Sequence, residues 1–243
     1  MSDAADREGK GEGEAQAVVR RYARRGLELG DRDRYSMLRP DVWLAAQERQ
    51  RAMLRLFVRL GWTDLSQRRL LEVGCGEGAN LQELLRLGFA ARHLSGVELL
   101  DARWAQAREG LPAALALHLG DAARLELPEG SQDVVFVSTV FSSLLDDGFQ
   151  QRLAQAMWRW VRPGGGVLWY DFTVDNPHNP DVRGVTLRRL RALFPLGEVR
   201  AERVSLAPPL ARVVARVHPG LYTLLNLLPV LRTHLLAWVA KRP

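Results

Sequence analysis

Three glycines at alternate positions form the segment of this chain best suited to binding a small ligand. Gly74, Gly76 and Gly78 separate the apolar segment Leu70–Val73 from a segment with helical periodicity. Because glycine has no Cβ, such a turn lets a ligand lie against main-chain N–H groups at a helix N-terminus. The segment therefore predicts a site of the kind that binds nucleotides.

Glu72 indicates which nucleotide-like cofactor the turn binds. Gly74, Gly76 and Ala79 also fit the dinucleotide pattern G-x-G-x-x-A, which is a weak signal by itself. A carboxylate two residues before the first glycine would repel a pyrophosphate, but it would attract an ammonium or a sulfonium group. S-adenosylmethionine carries both cationic groups and no phosphate. An NAD-linked oxidoreductase is therefore the less favoured alternative, and the position of Gly78 also departs from the dinucleotide pattern.

Two further motifs follow the glycine turn along the chain. Gly96-Val97-Glu98 ends the second apolar segment, and Gly120-Asp121-Ala122 follows the third. Together with Glu72-x-Gly74-x-Gly76-x-Gly78, they make residues 70–172 resemble the class I S-adenosylmethionine-dependent methyltransferases. The resemblance implies a Rossmann-like sheet, S-adenosyl-L-methionine as the cofactor and a methyl-transfer reaction.

Segments outside these motifs resemble a bacterial subgroup of that family that is often associated with surface-polysaccharide gene clusters. The segments are Asp33–Ser36, Trp169–Phe172, Asn176–Gly184, Leu206–Ala211 and Leu231–His234. This second resemblance points only loosely to a glycan as the methyl acceptor.

The family resemblance implies roles for the residues of the three motifs. The glycines would contact the methionine part of the cofactor, and both carboxylate oxygens of Glu98 could accept hydrogen bonds from the ribose. Asp121 could accept one from the adenine amino group, or it could instead cap a turn. Cys75 would pack beneath the cofactor rather than act as a nucleophile. The predicted cofactor-binding residues are Glu72, Gly74, Cys75, Gly76, Gly78, Glu98, Leu99, Gly120, Asp121, Ala122 and Ser138.

Methyl transfer from a sulfonium needs alignment and exclusion of water, and an oxygen nucleophile also gains from a base. Asp171 and His178 are the candidate bases, because Asp171 lies at the end of the fifth predicted strand and His178 in the loop that follows it. Asp171 could instead be a buried structural acceptor, and His178 an ordinary loop residue. The predicted acceptor-binding residues are Tyr35, Thr139, Phe141, Tyr170, Asn176, Asn179 and Arg183, each of which could instead stabilise its own segment.

Apolar strands alternate with amphipathic helices from Arg69 onwards. This pattern predicts an α/β fold with a doubly wound, mostly parallel seven-stranded sheet. The predicted strands are Leu70–Val73, His93–Glu98, Ala114–Leu119, Asp133–Ser138, Val167–Phe172, Glu198–Leu206 and Leu235–Ala240. Ligands of such sheets bind at the carboxyl ends of the strands, and the three motifs lie there.

The chain divides into three predicted regions. Residues 1–14 are polar and form a predicted disordered tail, residues 15–66 form a cap of two helices, and residues 67–243 form the methyltransferase domain. Residues 208–232 are an apolar helical insertion before the last strand. This insertion could pack as extra core, form a homodimer interface, or lie on the inner membrane with its arginines towards anionic head groups.

Composition limits the possible partners and compartments. The net charge is +6, but no run of five basic residues occurs, so nucleic acid is a disfavoured substrate. No secretory signal follows Met1, and the longest apolar run, Leu221–Leu231, is too short to span a bilayer. We therefore expect a cytoplasmic protein, with peripheral contact to the inner membrane as an option. A single cysteine and scattered histidines predict no disulfide and no metal site.

The favoured function is O-methylation of a sugar hydroxyl in a glycan or its precursor. Motifs of the Asn-Pro-Pro-Tyr type are absent, which disfavours methylation of DNA or of protein amides. Two alternatives stay open at this point. One is an O-methyltransferase for a small aromatic or other secondary metabolite, and the other is a non-catalytic cofactor-binding or membrane-associated scaffold.

Overall fold

A seven-stranded sheet forms the centre of the computed structural model, which describes residues 13–24, 36–177 and 179–243. The strand order is β3-β2-β1-β4-β5-β7-β6. The strands are β1 (Leu70–Val73), β2 (Leu94–Glu98), β3 (Ala116–Leu119), β4 (Gln132–Ser138), β5 (Val161–Phe172), β6 (Glu198–Leu206) and β7 (Arg232–Ala240).

The sheet is mixed rather than purely parallel. Strands β1 to β5 pair in parallel, whereas β7 runs antiparallel to both β5 and β6. The α/β class and the seven strands are confirmed. Because β7 begins at Arg232, three residues before the predicted start, Thr233 and His234 lie beside the carboxyl end of β5.

Helices cover both faces of the sheet. They are α1 (13–24), α2 (Pro40–Arg59), α3 (Ala79–Leu87), α4 (Asp101–Gly110), α5 (Asp147–Trp160), α6 (Leu187–Leu193), α7 (Pro208–Val217) and α8 (Pro219–Leu225). Local chemistry sets several ends. Pro40 occupies the first turn of α2, and Asp146 caps α5 by accepting the N–H of Phe149 at 2.6 Å.

Alternate side chains of β1 enter two different hydrophobic clusters. Leu71 and Val73 pack on the face covered by α5 and α6, while Leu70 faces α2 and α3. All four residues of β1 are buried, and Glu72 is the charged member among them. The strand therefore places a carboxylate inside an otherwise apolar layer, directly before the glycine turn.

The N-terminal region differs from the predicted tail in its last two residues. Residues 13 and 14 are helical, and the buried Glu14 accepts hydrogen bonds from Arg21 at 2.6 Å and from the N–H of Leu145 at 2.7 Å. These contacts hold α1 against the turn that precedes α5. The rest of the predicted tail, residues 1–12, lies outside the described residues, as do residues 25–35 of the predicted cap.

The insertion between β6 and β7 is helical, as its pattern predicts, but it packs only in part. Ala211 and Tyr222 are buried, and together with Leu206 of β6 and with Leu44 and Ala45 of α2 they form a small cluster. The exposed apolar side chains of the insertion include Val213, Val217, Leu221, Leu224, Leu227 and Leu228. No helix among the described residues is long and apolar enough to cross a membrane.

Candidate functional site

The glycine turn after β1 opens towards free space at its middle glycine. Gly74, Gly76 and Gly78 have φ angles of +69°, +56° and +88°, which an L side chain rarely adopts. A Cβ at Gly74 would lie 2.5 Å from Val140 Cγ2, whereas a Cβ at Gly76 would meet no atom within 4 Å. The turn thus packs tightly on its flanks and leaves room for a ligand at Gly76.

Glu98 joins the end of β2 to this turn. Its Oε2 accepts the N–H of Gly76 at 2.8 Å, and its Oε1 accepts the N–H of Leu100 at 2.8 Å. Because each carboxylate oxygen has a second lone pair, both oxygens can still accept a ribose hydroxyl. The geometry is compatible with the predicted ribose contact, which stays a prediction.

Glu72 has an unpaired oxygen deep in the site. The residue is fully buried, and its Oε1 accepts a hydrogen bond from Asn80 Nδ2 at 2.6 Å, whereas Oε2 is buried without a partner among the described residues. Burial raises the pKa of Glu72 to about 8, against the hydrogen bond from Asn80 and the charge of Arg49. A buried carboxyl group with a free oxygen fits a cationic ligand group. The amino group of S-adenosylmethionine is such a group.

The third motif shows the capping geometry at Asp121. Its Oδ1 accepts the N–H of Ala123 at 2.8 Å, and its Oδ2 lies 4.0 Å from Nε of Arg124. Gly120 before it has a φ of +134° and open space where a Cβ would stand. Leu99 and Ala122 are partly buried against the core. The adenine contacts of this segment stay predictions, with the cap of Asp121 as an added structural role.

Cys75 lies within the glycine turn and is buried. Burial raises the pKa of its thiol well above the usual range, and the charges of Glu72 and Glu98 act in the same direction. Such a thiol is unsuited to nucleophilic attack at neutral pH. The geometry fits the predicted packing role.

The carboxyl end of β4 carries a strained residue. After Ser138, Thr139 has a φ of +55°, and its N–H donates to the carbonyl oxygen of Tyr170 at 2.8 Å. A left-handed threonine costs free energy, and such strain is concentrated at functional sites. Phe141 is different, because it is fully buried and packs 4.7 Å from the ring of Trp169. The structure therefore places Phe141 in the core and not on the open edge.

Asp171 is a buried structural acceptor in this structure. Its Oδ2 accepts the N–H of Ser142 at 3.0 Å, its Oδ1 accepts the N–H of Phe172 at 2.9 Å, and the residue is 1% exposed. Burial raises its pKa to about 7 against the hydrogen bonds from Ser142 and the neighbouring amides. This geometry fits the structural alternative, and the role of Asp171 as a base stays a prediction. The other candidate base, His178, lies outside the described residues.

Predicted acceptor residues after β5 stabilise their own loop. Asn179 Oδ1 accepts the N–H of Asp181 at 3.1 Å, and the N–H of Asn179 donates to the carbonyl of Asn176 at 3.0 Å. Arg183 forms an ion pair with Asp147, and its N–H donates to the carbonyl of Ser142. Acceptor contacts of these residues stay predictions, and Tyr35 lies outside the described residues.

A polar network links Glu72 to the ends of β5 and β7. Arg49 from α2 donates hydrogen bonds of 2.8 Å to Asn80 Oδ1 and to Glu83 Oε2, and its guanidinium lies 5.3 Å from the ring centroid of Tyr170. His234 of β7 completes this network, because its ring stacks on the ring of Tyr170 with the two centroids 5.0 Å apart.

Sequence reasoning missed two members of this network. Periodicity places Arg49 on a helix without showing what the helix covers. The segment Leu231–His234 contributes to the subgroup resemblance, which implies no role for His234. Because the predicted last strand begins after His234, the sequence does not indicate that this residue contacts β5. Within the described residues, no group of three His, Cys, Asp or Glu side chains could hold a metal ion.

Comparisons with known proteins agree with the fold and with S-adenosylmethionine as the cofactor. The family described as "Methyltransferase domain" matches residues 70–165. Phthiotriol/phenolphthiotriol dimycocerosates methyltransferase 1 of Mycobacterium ulcerans is 35% identical over 132 residues, covering 52% of this chain and 47% of the relative. The corresponding methyltransferase of Mycobacterium leprae is 33% identical over 135 residues, covering 54% of this chain and 48% of the relative. The chain thus spans about half the length of these curated relatives.

A crystal structure of an S-adenosylmethionine-dependent methyltransferase from Archaeoglobus fulgidus shares the fold, with a TM-score of 0.55 and 17% identity over 77% of this chain and 91% of the other. The sheet and the glycine turn have the fold of the class I methyltransferases that use S-adenosylmethionine. The family match lies over residues 70–165, fewer than half of the 243 residues, and identifies a methyltransferase domain in that part of the chain.

Proposed function

We propose that this chain transfers the methyl group of S-adenosylmethionine to a hydroxyl group on the glycan of a lipid-linked precursor. The observation that carries the acceptor class is the exposed apolar surface of the insertion, which is joined to the open edge of the sheet. Tyr222 of α8 donates to Glu48 Oε2 at 3.1 Å, and the same oxygen accepts the N–H of Ser205. Ser205 Oγ lies 2.9 Å from the hydroxyl of Tyr170 at the end of β5.

The names of the curated relatives support a hydroxyl-bearing lipid as acceptor. Both mycobacterial proteins are named for phthiotriol and phenolphthiotriol dimycocerosates. These names support the lipid part of the proposal, while the sugar hydroxyl rests on the subgroup resemblance. A lipid-linked glycan combines the two requirements in one molecule.

The cofactor supplies a methyl group on a sulfonium that already activates it for transfer. Glu72 would hold the amino group of the cofactor, and Glu98 would hold its ribose. The glycine turn would leave room for the part of the cofactor that joins these two groups. Thr139 and Tyr170 lie at the ends of adjacent strands, where the acceptor hydroxyl has to meet the methyl group. Alignment by these groups accounts for most of the catalytic task in a displacement of this kind.

The insertion is the proposed contact with the membrane that carries such an acceptor. Its exposed apolar side chains lie in a segment without acidic residues, because no Asp or Glu follows Glu202 in the sequence. Arg212 and Arg216 lie among these side chains. Apolar side chains flanked by arginines suit an anionic bilayer surface, where the arginines face head groups. A homodimer through the same surface is the alternative outcome.

Transfer of tritiated methyl groups tests the acceptor class. The full chain would be incubated with labelled S-adenosylmethionine and, in separate reactions, with the lipid extract, the delipidated polysaccharide and the small-molecule extract of the source organism. We expect the label in the lipid extract. Mild acid, which releases glycan from lipid, should remove this label from the lipid. Label confined to the small-molecule extract would replace this proposal with methylation of a secondary metabolite. Absence of label in every fraction, with cofactor binding intact, would favour a non-catalytic scaffold.

A further inference from the structure

His234 lies at the carboxyl edge of the sheet because β7 runs antiparallel to β5. In the pairing register, His234 is opposite Phe172, the last residue of β5, and Tyr170 is opposite Ser138, the last residue of β4. Side chains of Ser138, Tyr170 and His234 therefore follow one another along a single edge. This edge continues the row of strand ends that carries the three cofactor motifs.

Three neighbours fix the orientation of the His234 ring. It stacks on Tyr170 at an interplanar angle of 12°, it meets Phe172 edge to face at 6.1 Å, and its Nδ1 lies 3.2 Å from Thr233 Oγ1. Nε2 has no hydrogen-bond partner in the part of the chain that the structure describes, and the residue is partly exposed. With Nδ1–H donating to Thr233, the imidazole would keep the lone pair of Nε2 free of any partner among the described residues.

The surroundings of His234 keep the imidazole neutral. Burial lowers its pKa to about 4, and the charge of Arg49 acts in the same direction. The groups that face it are Arg49 from α2 and the phenol of Tyr170 from β5, whose own pKa is raised by burial. The lone pair of a neutral imidazole is available throughout the physiological pH range, and because the lowered pKa disfavours the imidazolium, that form passes its proton on to water.

We propose that Nε2 of His234 accepts the proton of the acceptor hydroxyl during methyl transfer. The hydroxyl oxygen forms a bond to the methyl carbon, and the carbon–sulfur bond breaks with its electron pair left on sulfur. The hydroxyl proton passes to Nε2 and from the imidazolium to water. This inference rests on the proposed function, since it requires a hydroxyl acceptor. It assigns the base to β7, in place of the buried Asp171.

Turnover measurements on His234→Asn and His234→Ala test the assignment. With the lipid extract as acceptor, we expect both variants to lose about 100-fold or more in turnover, while calorimetry shows unchanged affinity for S-adenosylhomocysteine. Added imidazole should restore part of the turnover of His234→Ala, which a merely structural role would not allow. His93→Asn, at the opposite edge of the sheet, is the matched control and should retain full turnover.

Nitrogen NMR of the histidine side chains gives a readout that needs no acceptor. We expect His234 to be neutral at pH 7 with the proton on Nδ1, assigned by loss of its signals in His234→Asn. A proton on Nε2, or turnover within twofold of wild type in both His234 variants, would overturn the assignment. If the wild-type chain labels no extract, the proposed function fails, and the protonation state still decides whether His234 presents a free nitrogen.

Discussion

Tyr222 in α8 and Glu48 in α2 are joined by a buried hydrogen bond of 3.1 Å. The accepting oxygen also receives the N–H of Ser205, a residue with a left-handed φ of +61° in β6. One carboxylate group therefore connects the helical cap, the insertion and the edge of the sheet. This contact stabilises the position of the insertion, together with a small apolar cluster and the hydrogen bonds of Arg232 to Asn226 and Arg203.

Replacing Tyr222 by Phe should loosen the insertion without creating a large cavity. The change removes one donor from a buried carboxyl group, which should lower the free energy of unfolding by about 1–3 kcal/mol. Urea unfolding measures this loss. Thr223→Val, at the exposed neighbouring position, serves as the control and should leave the midpoint nearly unchanged. Equal midpoints for Tyr222→Phe and wild type would show that the hydrogen bond does not stabilise the fold.

Glu72→Gln should stabilise the cofactor-free protein at alkaline pH and weaken cofactor binding. The folded-state pKa of about 8 lies above the value of 4.5 for an exposed glutamate, so the folded state binds more protons between these values. The stability of the wild type should therefore fall as pH rises from 5 to 8, by an amount on the order of a few kcal/mol. Glutamine removes this dependence, because it does not ionise.

Thermal unfolding at pH 5 and pH 8, without cofactor, measures the effect of Glu72→Gln. Glu77→Gln lies exposed in the same turn and should behave like the wild type. Calorimetry with S-adenosylhomocysteine should show weaker binding for Glu72→Gln only. A wild-type stability that does not fall over this pH range would contradict the proposed proton uptake by Glu72.

Glu98→Gln should reduce affinity for S-adenosylhomocysteine by about 10- to 150-fold, which corresponds to roughly 1.5–3 kcal/mol for hydrogen bonds to a charged group. Because Glu98 also holds Gly76 and Leu100, thermal unfolding has to accompany the titration. Glu109→Gln, exposed at the end of α4, is the control. An affinity equal to wild type would remove Glu98 from the ribose site.

The glycine turn and its proximity to Glu98 were predictable from sequence, because local patterns determine them. Glycines that adopt positive φ, a carboxylate at the end of an apolar strand and the spacing to Glu98 all lie within short segments. The acceptor half depends on contacts between distant segments. Arg49, Tyr170 and His234 meet only because β7 inserts between β5 and β6, and no local pattern specifies that strand order.

Asp171 shows a second limit of sequence reasoning. Its place at the end of β5 was compatible with a base and with a buried acceptor, and the carboxyl group points into the layer beneath the turn Phe141–Ser143. Side-chain direction alternates along a strand, so a difference of one residue between Tyr170 and Asp171 separates the two faces. The predicted strand ends correctly at Phe172, although it starts six residues after the observed start at Val161. The face of the sheet on which Asp171 lies depended on helices whose packing the sequence did not reveal.

Asp171→Asn should destabilise the fold and leave cofactor affinity intact. An asparagine can accept only one of the two N–H groups that the carboxyl group now accepts, so about 1–3 kcal/mol of stability should be lost. Chemical unfolding at pH 8 gives this value, and Asp175→Asn in the neighbouring loop provides a comparison. Unchanged stability combined with abolished turnover would instead support Asp171 as the base.

Membrane association should depend on the exposed side chains of the insertion. Leu224 is 60% exposed and Leu228 is 50% exposed. The double variant Leu224→Ser/Leu228→Ser should therefore float less with vesicles that contain phosphatidylglycerol. The wild type should bind these vesicles at low salt, bind less as salt rises, and bind poorly to phosphatidylcholine alone, because attraction between arginines and anionic head groups is screened. Leu196→Ser, exposed before β6, is the matched control and should float like the wild type. Wild-type protein that never floats, together with a dimer mass in light scattering that the double variant loses, would assign the surface to a second copy of the chain.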